Sequence, residues 1–285
     1  MDFEHLQIEV TPVAKDVYFL HGSGGNILAV VGPEGTLLVD TEFAPVAPKI
    51  EAALKGIGAG PVRYVISSHF HSDHTGGNSY FLHKGAVVIA QEQCRARLLV
   101  STFSRYWNEA SPAIPEADAP NLTYQHTLTL RFDGSEIVAS HVQPAHTDGD
   151  TVVYVRPANV VHLGDVFING LYPFVDVAAK GTIDGYFPVI DDVLSKIDDH
   201  TVVVPGHGPV TDRSRLKFYR DMLWTVRNRV AAMVAKGMSL EEIIAANPSK
   251  EFDPEWASDR VGPDGFAVMI YQSLTGRRLD WHPSS

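Results

Sequence analysis

The chain has 285 residues, of which 45% are hydrophobic and 20% are charged, and its 34 acidic and 23 basic side chains give a formal net charge of −11. These proportions predict a folded protein with a sizeable packed core, while length alone leaves one large domain or two small ones open. The acidic balance disfavours a protein that follows a nucleic-acid backbone, because such proteins normally present a basic surface.

The N-terminal part alternates apolar strand patterns with turn residues. Residues 17–20 and 27–31 flank a glycine-rich turn and predict a hairpin, and residues 36–40 predict a buried strand that ends in an acid. A helix is predicted from about residue 45 to 54, where apolar residues recur every four positions. The strand-like run 62–66 then leads directly into Ser67-Ser68-His69.

The middle of the chain is less regular. Residues 92–121 begin as a predicted helix, and residues 111–120 then form a Pro/Ala/Asp-rich stretch that we interpret as a loop or lid. Strand patterns resume directly after it. They are found at residues 127–130, 136–139, 151–155, 160–163 and 201–204, with a helix predicted over about 184–197.

The C-terminal part is predicted to be helical. A long amphipathic helix should run from Asp212, a candidate N-cap, to Lys236, and a capping-box spacing at Ser239 opens a short helix after it. Strands mixed with helices throughout the chain indicate a layered α/β fold. We predict a single domain over residues 1–285 with a helical extension from about residue 212.

The most informative segment is His69-Phe70-His71-Ser72-Asp73-His74. Histidine and aspartate are common ligands of divalent metal ions, and four of them stand within six residues here. On an extended segment, positions 69, 71 and 73 point the same way, which leaves Phe70 free to anchor the loop in the core. Asp73 and His74 open a helix-like stretch, so their side chains can turn towards a second metal. A solvated, histidine-rich loop is the alternative interpretation.

Three further residues weigh against that alternative. His146 lies in a loop between two strand patterns, Asp165 directly follows one at residues 160–163, and His207 directly follows another. Each is flanked by glycine or proline, and such loops let strand ends converge on one rim of a sheet. Taken singly, each of the three could be structural. Taken with the histidine-rich motif, they predict one metal site.

These residues, together with Asp40 at the end of its strand, stand in the order and with the spacing of the metallo-β-lactamase superfamily, which the chain resembles over roughly residues 12–225. The resemblance implies an αββα sandwich, in which two facing mixed β-sheets carry outer helices and metals lie at the sheet edge. The implied ligands of a first ion are His69, His71 and His146. Those of a second ion are Asp73, His74 and His207, with Asp165 bridging the two. Asp40 would orient the ligand loop.

The resemblance also implies a reaction. Imidazole and carboxylate ligands suit Zn²⁺, and two zinc ions about 3.5–4 Å apart can share one hydroxide. Because metal binding lowers the pKa of a water to around 7, that hydroxide can attack a substrate carbonyl without a serine or cysteine nucleophile. Asp73 would both bind metal and orient the attacking water, and is our candidate catalytic residue. We therefore predict a zinc-dependent hydrolase of a small molecule with a hydrolysable carbonyl.

The substrate is less well defined. Residues 144–154 look more like the zinc β-lactamases than like glyoxalase II. However, Asp165 stands where one major lactamase subclass has a cysteine, and no lysine follows to hold a substrate carboxylate, since the next residues run from Val166 to Asn169. We expect a β-lactamase-like enzyme with weak or promiscuous β-lactam hydrolysis, in which Asn169 could act as a neutral donor. A lactonase or a glyoxalase II-like thioesterase is the alternative.

The same residues also bear on whether the chain belongs to another class of protein. Diiron oxygen reductases with this fold have a glutamate in the place of His71, which counts against them. A mononuclear-iron persulfide dioxygenase remains open and would be separated by metal analysis. A nuclease would need an additional basic region, which this acidic chain does not show. A non-catalytic relative would be expected to have lost ligands.

Several residues have two interpretations. His21, in the glycine-rich turn, and Tyr172 and Phe174, close after Asp165, could line a substrate pocket or serve the core. The apolar face of the long C-terminal helix could belong to the core or form a homodimer surface. That face carries Leu216, Met222, Leu223 and Val226.

The sequence also predicts a cellular location. Cys94 is the single cysteine, so neither a disulfide within the chain nor a thiolate metal cluster can form. The segment Met1-Asp2-Phe3-Glu4-His5 resembles no secretory signal, and no apolar run has the length of a membrane span. We expect a cytoplasmic protein without membrane contacts, or a periplasmic one if an export signal has been removed.

Overall fold

The computed structural model describes residues 2–279, 281 and 282. Within these residues the chain forms fourteen strands: β1 (Glu9–Ala14), β2 (Val17–His21), β3 (Ile27–Gly32), β4 (Gly35–Val39), β5 (Val62–Ile66), β6 (Val87–Gln91), β7 (Thr102–Ser104), β8 (Glu109–Ser111), β9 (Leu122–Tyr124), β10 (Thr127–Phe132), β11 (Ser135–His141), β12 (Thr151–Arg156), β13 (Val160–His162) and β14 (Val202–Val204). The α-helices of the same residues are α1 (Ala47–Gly56), α2 (Ser72–Thr75), α3 (Asn78–His83), α4 (Glu92–Leu98), α5 (Ile183–Lys196), α6 (Arg213–Ala235), α7 (Leu240–Ala246), α8 (Asp253–Trp256) and α9 (Pro263–Thr275).

Two mixed sheets form the centre of the fold. One has seven strands in the order β1-β2-β3-β4-β5-β6-β9, antiparallel from β1 to β4 and parallel from β4 onward. The other has five strands in the order β10-β11-β12-β13-β14, of which β13 and β14 are parallel. Because parallel neighbours end at the same edge, residues that follow β4 and β5, or β13 and β14, are brought together.

The sheets face each other across a shared core. Val30 and Ile66 of the seven-stranded sheet belong to the same buried cluster as Ala139, Val153 and Val204 of the five-stranded sheet. The strands that contribute most to this layer read as apolar runs, as expected of sheets covered on both faces. Burial between the two sheets thus fixes their mutual orientation.

Helices cover both outer faces. Val65 and Val88 pack outward against Ile50 and Leu54 of α1 and Phe81 of α3. On the other side, the five-stranded sheet packs against α5, α6 and α9 through a large cluster that includes residues of all three helices. The order of layers is therefore helix, sheet, sheet, helix, which confirms the αββα sandwich implied by the resemblance.

The predicted elements correspond closely to the observed ones. The strands expected within residues 17–40 and at 62–66 are β2 to β5, and β4 ends at Val39, which leaves Asp40 just beyond it. The long C-terminal helix is α6, whose N-cap Asp212 accepts a hydrogen bond from the Arg215 amide. The capping box at Ser239 is also present. The single domain with a helical extension stays a prediction.

Some elements were not foreseen. Strands β7, β8 and β9 are three residues long, too short to carry a periodic pattern, and β7 pairs with β8 as a separate hairpin. Helix α9 was also missed, although all of its residues from Gly265 to Tyr271 are buried. A helix that is apolar on every side has no amphipathic signal.

The apolar face of α6 belongs to the core. Its four apolar residues named above are at most 1% exposed and pack within the cluster on the five-stranded sheet, so this face is not a free homodimer surface. Among the helices of the described residues, none combines the length and the apolar character needed to cross a bilayer.

Candidate metal centre

All seven predicted ligands lie at one edge of the two sheets. Ser67 and Ser68 carry the chain from β5 to His69, while Asp165 and His207 follow the parallel strands β13 and β14. His146 lies in the connection from β11 to its antiparallel neighbour β12. The sandwich thus brings side chains that are more than a hundred residues apart in sequence into direct contact.

The first group of candidate ligands comprises His69, His71, His146 and Asp165. Nδ1 of His71 lies 3.2 Å from Nε2 of His69 and 2.9 Å from Nε2 of His146. Oδ2 of Asp165 lies 3.7 Å from Nε2 of His146 and 4.0 Å from Nε2 of His69. Three imidazoles and one carboxylate oxygen therefore converge on a common point.

The second group comprises Asp73, His74 and His207. Nε2 of His207 lies 3.3 Å from Nε2 of His74 and 3.3 Å from Oδ2 of Asp73. The carboxylate of Asp165 reaches this group as well, with Oδ1 at 3.1 Å from His74 and Oδ2 at 3.5 Å from His207. Asp165 consequently stands between the two groups, where the resemblance implies a bridge.

Hydrogen bonds behind the histidines fix which nitrogen faces the site. Nδ1 of His74 donates to Oδ2 of Asp40 at 2.7 Å, and Nε2 of His71 donates to Oδ2 of Asp176 at 3.0 Å. A proton held by the outer nitrogen leaves the inner nitrogen with its lone pair. His74 therefore presents Nε2 to the site, and His71 presents Nδ1.

The other two histidines of the first group are held in the same way. Nδ1 of His146 donates to the backbone carbonyl of Phe174 at 2.6 Å, and Nδ1 of His69 lies 3.0 Å from Oγ of Ser68. Because Ser68 donates its own proton to Asp40 at 2.6 Å, its oxygen accepts from His69. Both histidines thus direct Nε2 at the site.

These contacts fit divalent metal ions. In the first group, the inner nitrogens of His69 and His146 lie about 3 Å from that of His71, so their lone pairs oppose one another, an arrangement that needs positive charge between them. Oδ1 of Asp165 is buried and receives no hydrogen bond from any described residue. Five imidazoles and two carboxylates without a thiolate are a donor set that suits zinc. The seven residues remain predicted ligands.

Charge balance points the same way. Burial lowers the pKa of His146 to about 4, so this histidine is neutral at pH 7. Burial also acts against the charged form of His207, but the Asp165 and Asp73 carboxylates outweigh it and raise the pKa of His207 to about 9. The pKa of His74 is likewise raised well above its usual range, by Asp165, Asp40 and Asp73 against the effect of burial. The second group thus draws positive charge to itself.

A glycine makes room for the central carboxylate. Gly206 precedes His207, and a Cβ at this position would lie 2.0 Å from Oδ1 of Asp165. Its amide donates to the backbone carbonyls of Gly164 and Phe167, which ties the loops after β13 and β14 together. Only a residue without a side chain lets Asp165 and His207 approach each other in this way.

A cavity of about 870 Å³ opens onto the site. Its lining includes His71, Asp73, Asp165 and His207, so four of the seven candidate ligands form its floor. Much of its wall comes from the segment between α4 and β9, which includes the hairpin of β7 and β8. Residues 112, 114 and 118 of the predicted loop or lid also contribute. The volume is in the range of sites for small-molecule ligands.

Phe174, Tyr172 and His21 differ in their positions relative to the cavity. The ring of Phe174 lines the cavity beside His71 and His146. Tyr172 also lines it, but its hydroxyl donates to Asp253 at 2.7 Å and its ring stacks on Phe266, so its polar contacts are structural. His21 does not line the cavity and instead bonds Asn26 at 3.1 Å.

The expectation that Asn169 could bind a substrate carboxylate is wrong. Its amide nitrogen donates to the Pro209 carbonyl at 2.8 Å, and its amide oxygen accepts from Arg215 at 2.8 Å. Asn169 does not line the cavity, whereas its neighbour Ile168 does. Strand-like alternation along residues 168 and 169 explains why only one of them faces the cavity.

Sequence reasoning missed Asp176, the partner of His71. This aspartate is separated from His71 by 105 residues and stands in no recognisable motif. It caps a single helical turn by accepting a hydrogen bond from the Ala179 amide at 2.9 Å. The one signal in the sequence was its position two residues after Phe174, a candidate pocket residue in the same loop.

Comparison with known proteins yields related sequences and folds. The chain is 24% identical over 198 residues to the 2,4-dinitroanisole O-demethylase subunit alpha of Nocardioides sp. (strain JS1661), covering 69% of this chain and 56% of that protein. It is 24% identical over 211 residues to a probable metallo-hydrolase of Bacillus subtilis (strain 168), covering 72% of this chain and 90% of that protein.

Two solved structures share the fold at 20% sequence identity. The stereoselective inverting sec-alkylsulfatase from Pseudomonas sp. superimposes with a TM-score of 0.70 over 94% of this chain and 50% of its own. A metallo-beta-lactamase from Pontibacter korlensis superimposes with a TM-score of 0.63 over 76% of this chain and 99% of its own. The chain thus spans about half the length of the sulfatase.

A family-level match includes every predicted ligand. The profile of the metallo-beta-lactamase superfamily matches residues 21–207, a segment that begins at the end of β2 and ends at His207. It covers more than half of the chain and both groups of converging side chains. The chain belongs to the metallo-beta-lactamase superfamily.

Proposed function

We propose that this chain is a hydrolase that uses two zinc ions to cleave an acyl bond in a small molecule. The observation that carries the proposal is the position of Asp165, whose carboxylate lies 3.1 Å from His74 in one group and 3.7 Å from His146 in the other. A carboxylate shared by two groups of imidazoles is what a dinuclear site requires. A single ion bound by the first group would leave Asp73, His74 and His207 without a role in metal binding.

The reaction follows from the residues at the cavity floor. Zinc ions held there would supply Lewis acidity and lower the pKa of a coordinated water to around 7. Asp40 and Asp176 hold the imidazoles of His74 and His71 in fixed orientations, which avoids reorganisation during the reaction. The Asp73 carboxylate lies at the cavity floor, where it can bind the second ion and orient the attacking water.

The cavity wall indicates an apolar substrate body. Ile168 and Phe174 flank the candidate ligands, and Phe70 and Trp107 also line the cavity. With the Asn169 side chain turned away, no side chain of residues 166–169 offers a hydrogen-bond donor to a substrate carboxylate in the cavity. We therefore propose weak β-lactam hydrolysis, with a lactone or thioester as the alternative acyl substrate.

One observation favours a second candidate, a sulfate ester of an alkyl compound. The superposition on the sec-alkylsulfatase covers 94% of this chain, whereas that on the metallo-beta-lactamase covers 76%. The superposition on the sulfatase therefore covers more of this chain and includes residues of its C-terminal helices. Sulfate-ester cleavage by this chain is proposed on the fold alone.

The test combines metal content with turnover. Purified protein should hold close to two zinc ions per chain and should hydrolyse at least one member of a panel of penicillins, lactones, thioesters and alkyl sulfates. His71→Ala should lose metal and activity together while its circular dichroism is unchanged. The exposed His126 provides a matched control, since His126→Ala removes an imidazole away from the site.

Three results would separate the candidates. Turnover of the alkyl sulfate alone would favour the second candidate over the first. One tightly bound iron, without hydrolysis after zinc loading, would replace both with a persulfide dioxygenase. Full activity of His71→Ala would show that the reaction does not take place at the metal centre. A homodimer and a cytoplasmic location remain predictions.

A further inference from the structure

The cavity has two arginines in its lining, and they differ in their partners. Arg97 is paired with Asp148 through both Nε and Nη2, the latter at 2.8 Å, and its guanidinium lies over the Phe70 ring. Its charge is therefore balanced within the protein. Asp148 also accepts Lys180 at 3.4 Å, so this cluster is a structural network.

Arg260 is balanced by no such partner. No carboxylate of the described residues lies within ion-pair distance of its guanidinium, which instead lies 5.7 Å from the centre of the Trp107 indole ring. The residue is exposed on the connection between α8 and α9, and both it and Trp107 line the cavity. Stacking on an indole leaves the guanidinium N–H groups free to bind an anion.

The position of this pair is set by neighbouring contacts. Tyr106, next to Trp107, is buried and donates its hydroxyl to the backbone carbonyl of Arg260 at 3.0 Å. A Cβ at Gly265 of α9 would lie 2.3 Å from the Tyr106 hydroxyl oxygen, so a glycine is needed for this approach. The turn of the β7–β8 hairpin is thus fastened to the connection that carries Arg260.

We propose that Arg260, held against Trp107, binds an anionic group on the substrate remote from the bond that is cleaved. The inference rests on the proposed function, because it assumes that the substrate reacts at the cavity floor. The apolar wall would contact the substrate body, and the guanidinium would contact a terminal carboxylate or sulfonate. The preferred substrates are then acyl compounds whose apolar chain ends in an anion.

The expected effect is moderate because Arg260 is exposed. A charge contact exposed to solvent changes affinity by about two- to fivefold, and salt screens it. Glu109, exposed on β8, also lines the cavity and partly opposes the effect. Glu109→Gln should therefore tighten the binding of an anionic ligand slightly, which is opposite in sign to the loss of Arg260.

Binding and turnover should be measured separately on the zinc-loaded full chain. For binding, calorimetry compares the anilides of adipic and suberic acid, which keep a free carboxylate, with neutral anilides of equal length. For turnover, 4-nitrophenyl half-esters of the same acids are compared with neutral 4-nitrophenyl esters. A sulfonate in place of the free carboxylate distinguishes recognition of any anion from recognition of a carboxylate.

We expect wild-type protein to bind the acids about two- to fivefold more tightly than the neutral anilides, and Arg260→Gln to remove that preference. In Arg260→Gln, the KM for the half-esters should rise by the same factor. Their kcat should be unchanged, as should both kcat and KM for the neutral esters. Arg260→Lys should keep part of the preference. Arg131→Gln, which removes the same charge from β10 outside the cavity, should keep all of it.

The failure of each proposal gives a different result. Equal affinity for acid and neutral anilides, or an unchanged preference in Arg260→Gln, would overturn the role of Arg260 even if all esters are hydrolysed. A preference that depends on Arg260, without turnover of any ester, would instead refute the acyl hydrolase and leave the anion site standing. If Arg131→Gln lost the preference for the acids to the same extent, the effect would be one of net charge. That result would also overturn the inference.

Discussion

Nδ1 of His74 lies 2.7 Å from Oδ2 of Asp40, and neither side chain is exposed to solvent. The same carboxylate accepts the hydroxyl of Ser68 at 2.6 Å, and Ser68 in turn contacts His69 at 3.0 Å. One aspartate at the end of β4 therefore orients a histidine of each candidate group. Its backbone is left-handed, with φ of 67°, a conformation that Asp and Asn adopt more readily than most residues.

This contact predicts the effect of Asp40→Asn. Asparagine tolerates the left-handed backbone and keeps the shape of the side chain, but it removes the charge that orients His74. We expect zinc affinity to fall about ten- to a hundredfold while the fold is retained. Competition with a chromogenic chelator measures the affinity. The same affinity in Asp40→Asn and wild-type protein would show that the charge of Asp40 is unimportant for metal binding.

Asp165 distinguishes two ions from one. Because its carboxylate stands between the groups, Asp165→Ala should lower the zinc content from close to two ions per chain towards one and reduce turnover strongly. Elemental analysis together with protein quantification gives the stoichiometry. Unchanged stoichiometry in this variant would mean that Asp165 has a structural role and that the proposed bridge is wrong.

Metal binding should release protons. The pKa of His207 is raised to about 9 by Asp165 and Asp73 in spite of burial, so its imidazole is protonated at pH 7 without metal, and the pKa of His74 is raised in the same direction. Binding must displace the protons that these imidazoles carry, so zinc affinity should fall as pH decreases and should increase up to about pH 9.

Calorimetry in two buffers of different ionisation enthalpy counts the protons released. Zinc binding at pH 7 should release at least one proton, and His207→Ala should release about one fewer. An enthalpy of binding that is independent of the buffer would show that no proton is displaced and that the second group does not receive the metal.

Ile168 is the position at which a substrate carboxylate could gain a partner. The residue lines the cavity, is 5% exposed and pairs with His207 through a parallel β-bridge, so a longer side chain there can extend into the cavity. Ile168→Lys should lower KM for penicillins about tenfold, with kcat little changed, since it adds a charge contact without altering the reacting groups. Thr129→Lys is the matched control, because it adds the same charge at an exposed position of β10 outside the cavity. An equal gain in both variants would mean that the effect is one of net charge.

The sequence by itself determined the order of the main strands and the composition of the candidate site. Residues 17–40 and 62–66 carry apolar patterns that predict β2 to β5, and the predicted strand ends locate Asp40, His69, Asp165 and His207 at one rim. These predictions succeeded because strand pattern and turn residues are local properties of the chain. The resemblance added the αββα arrangement, which local patterns do not specify.

Only the tertiary structure decided which distant side chains assist or surround these residues. Asp176 reaches His71 across 105 positions, and Asn169 is occupied by Pro209 and Arg215 although it follows directly after Ile168. Arg260 faces the cavity because Tyr106 binds its carbonyl. Contacts of this kind depend on how loops from separate elements pack together, and a partner's distance in sequence carries no information about its distance in space.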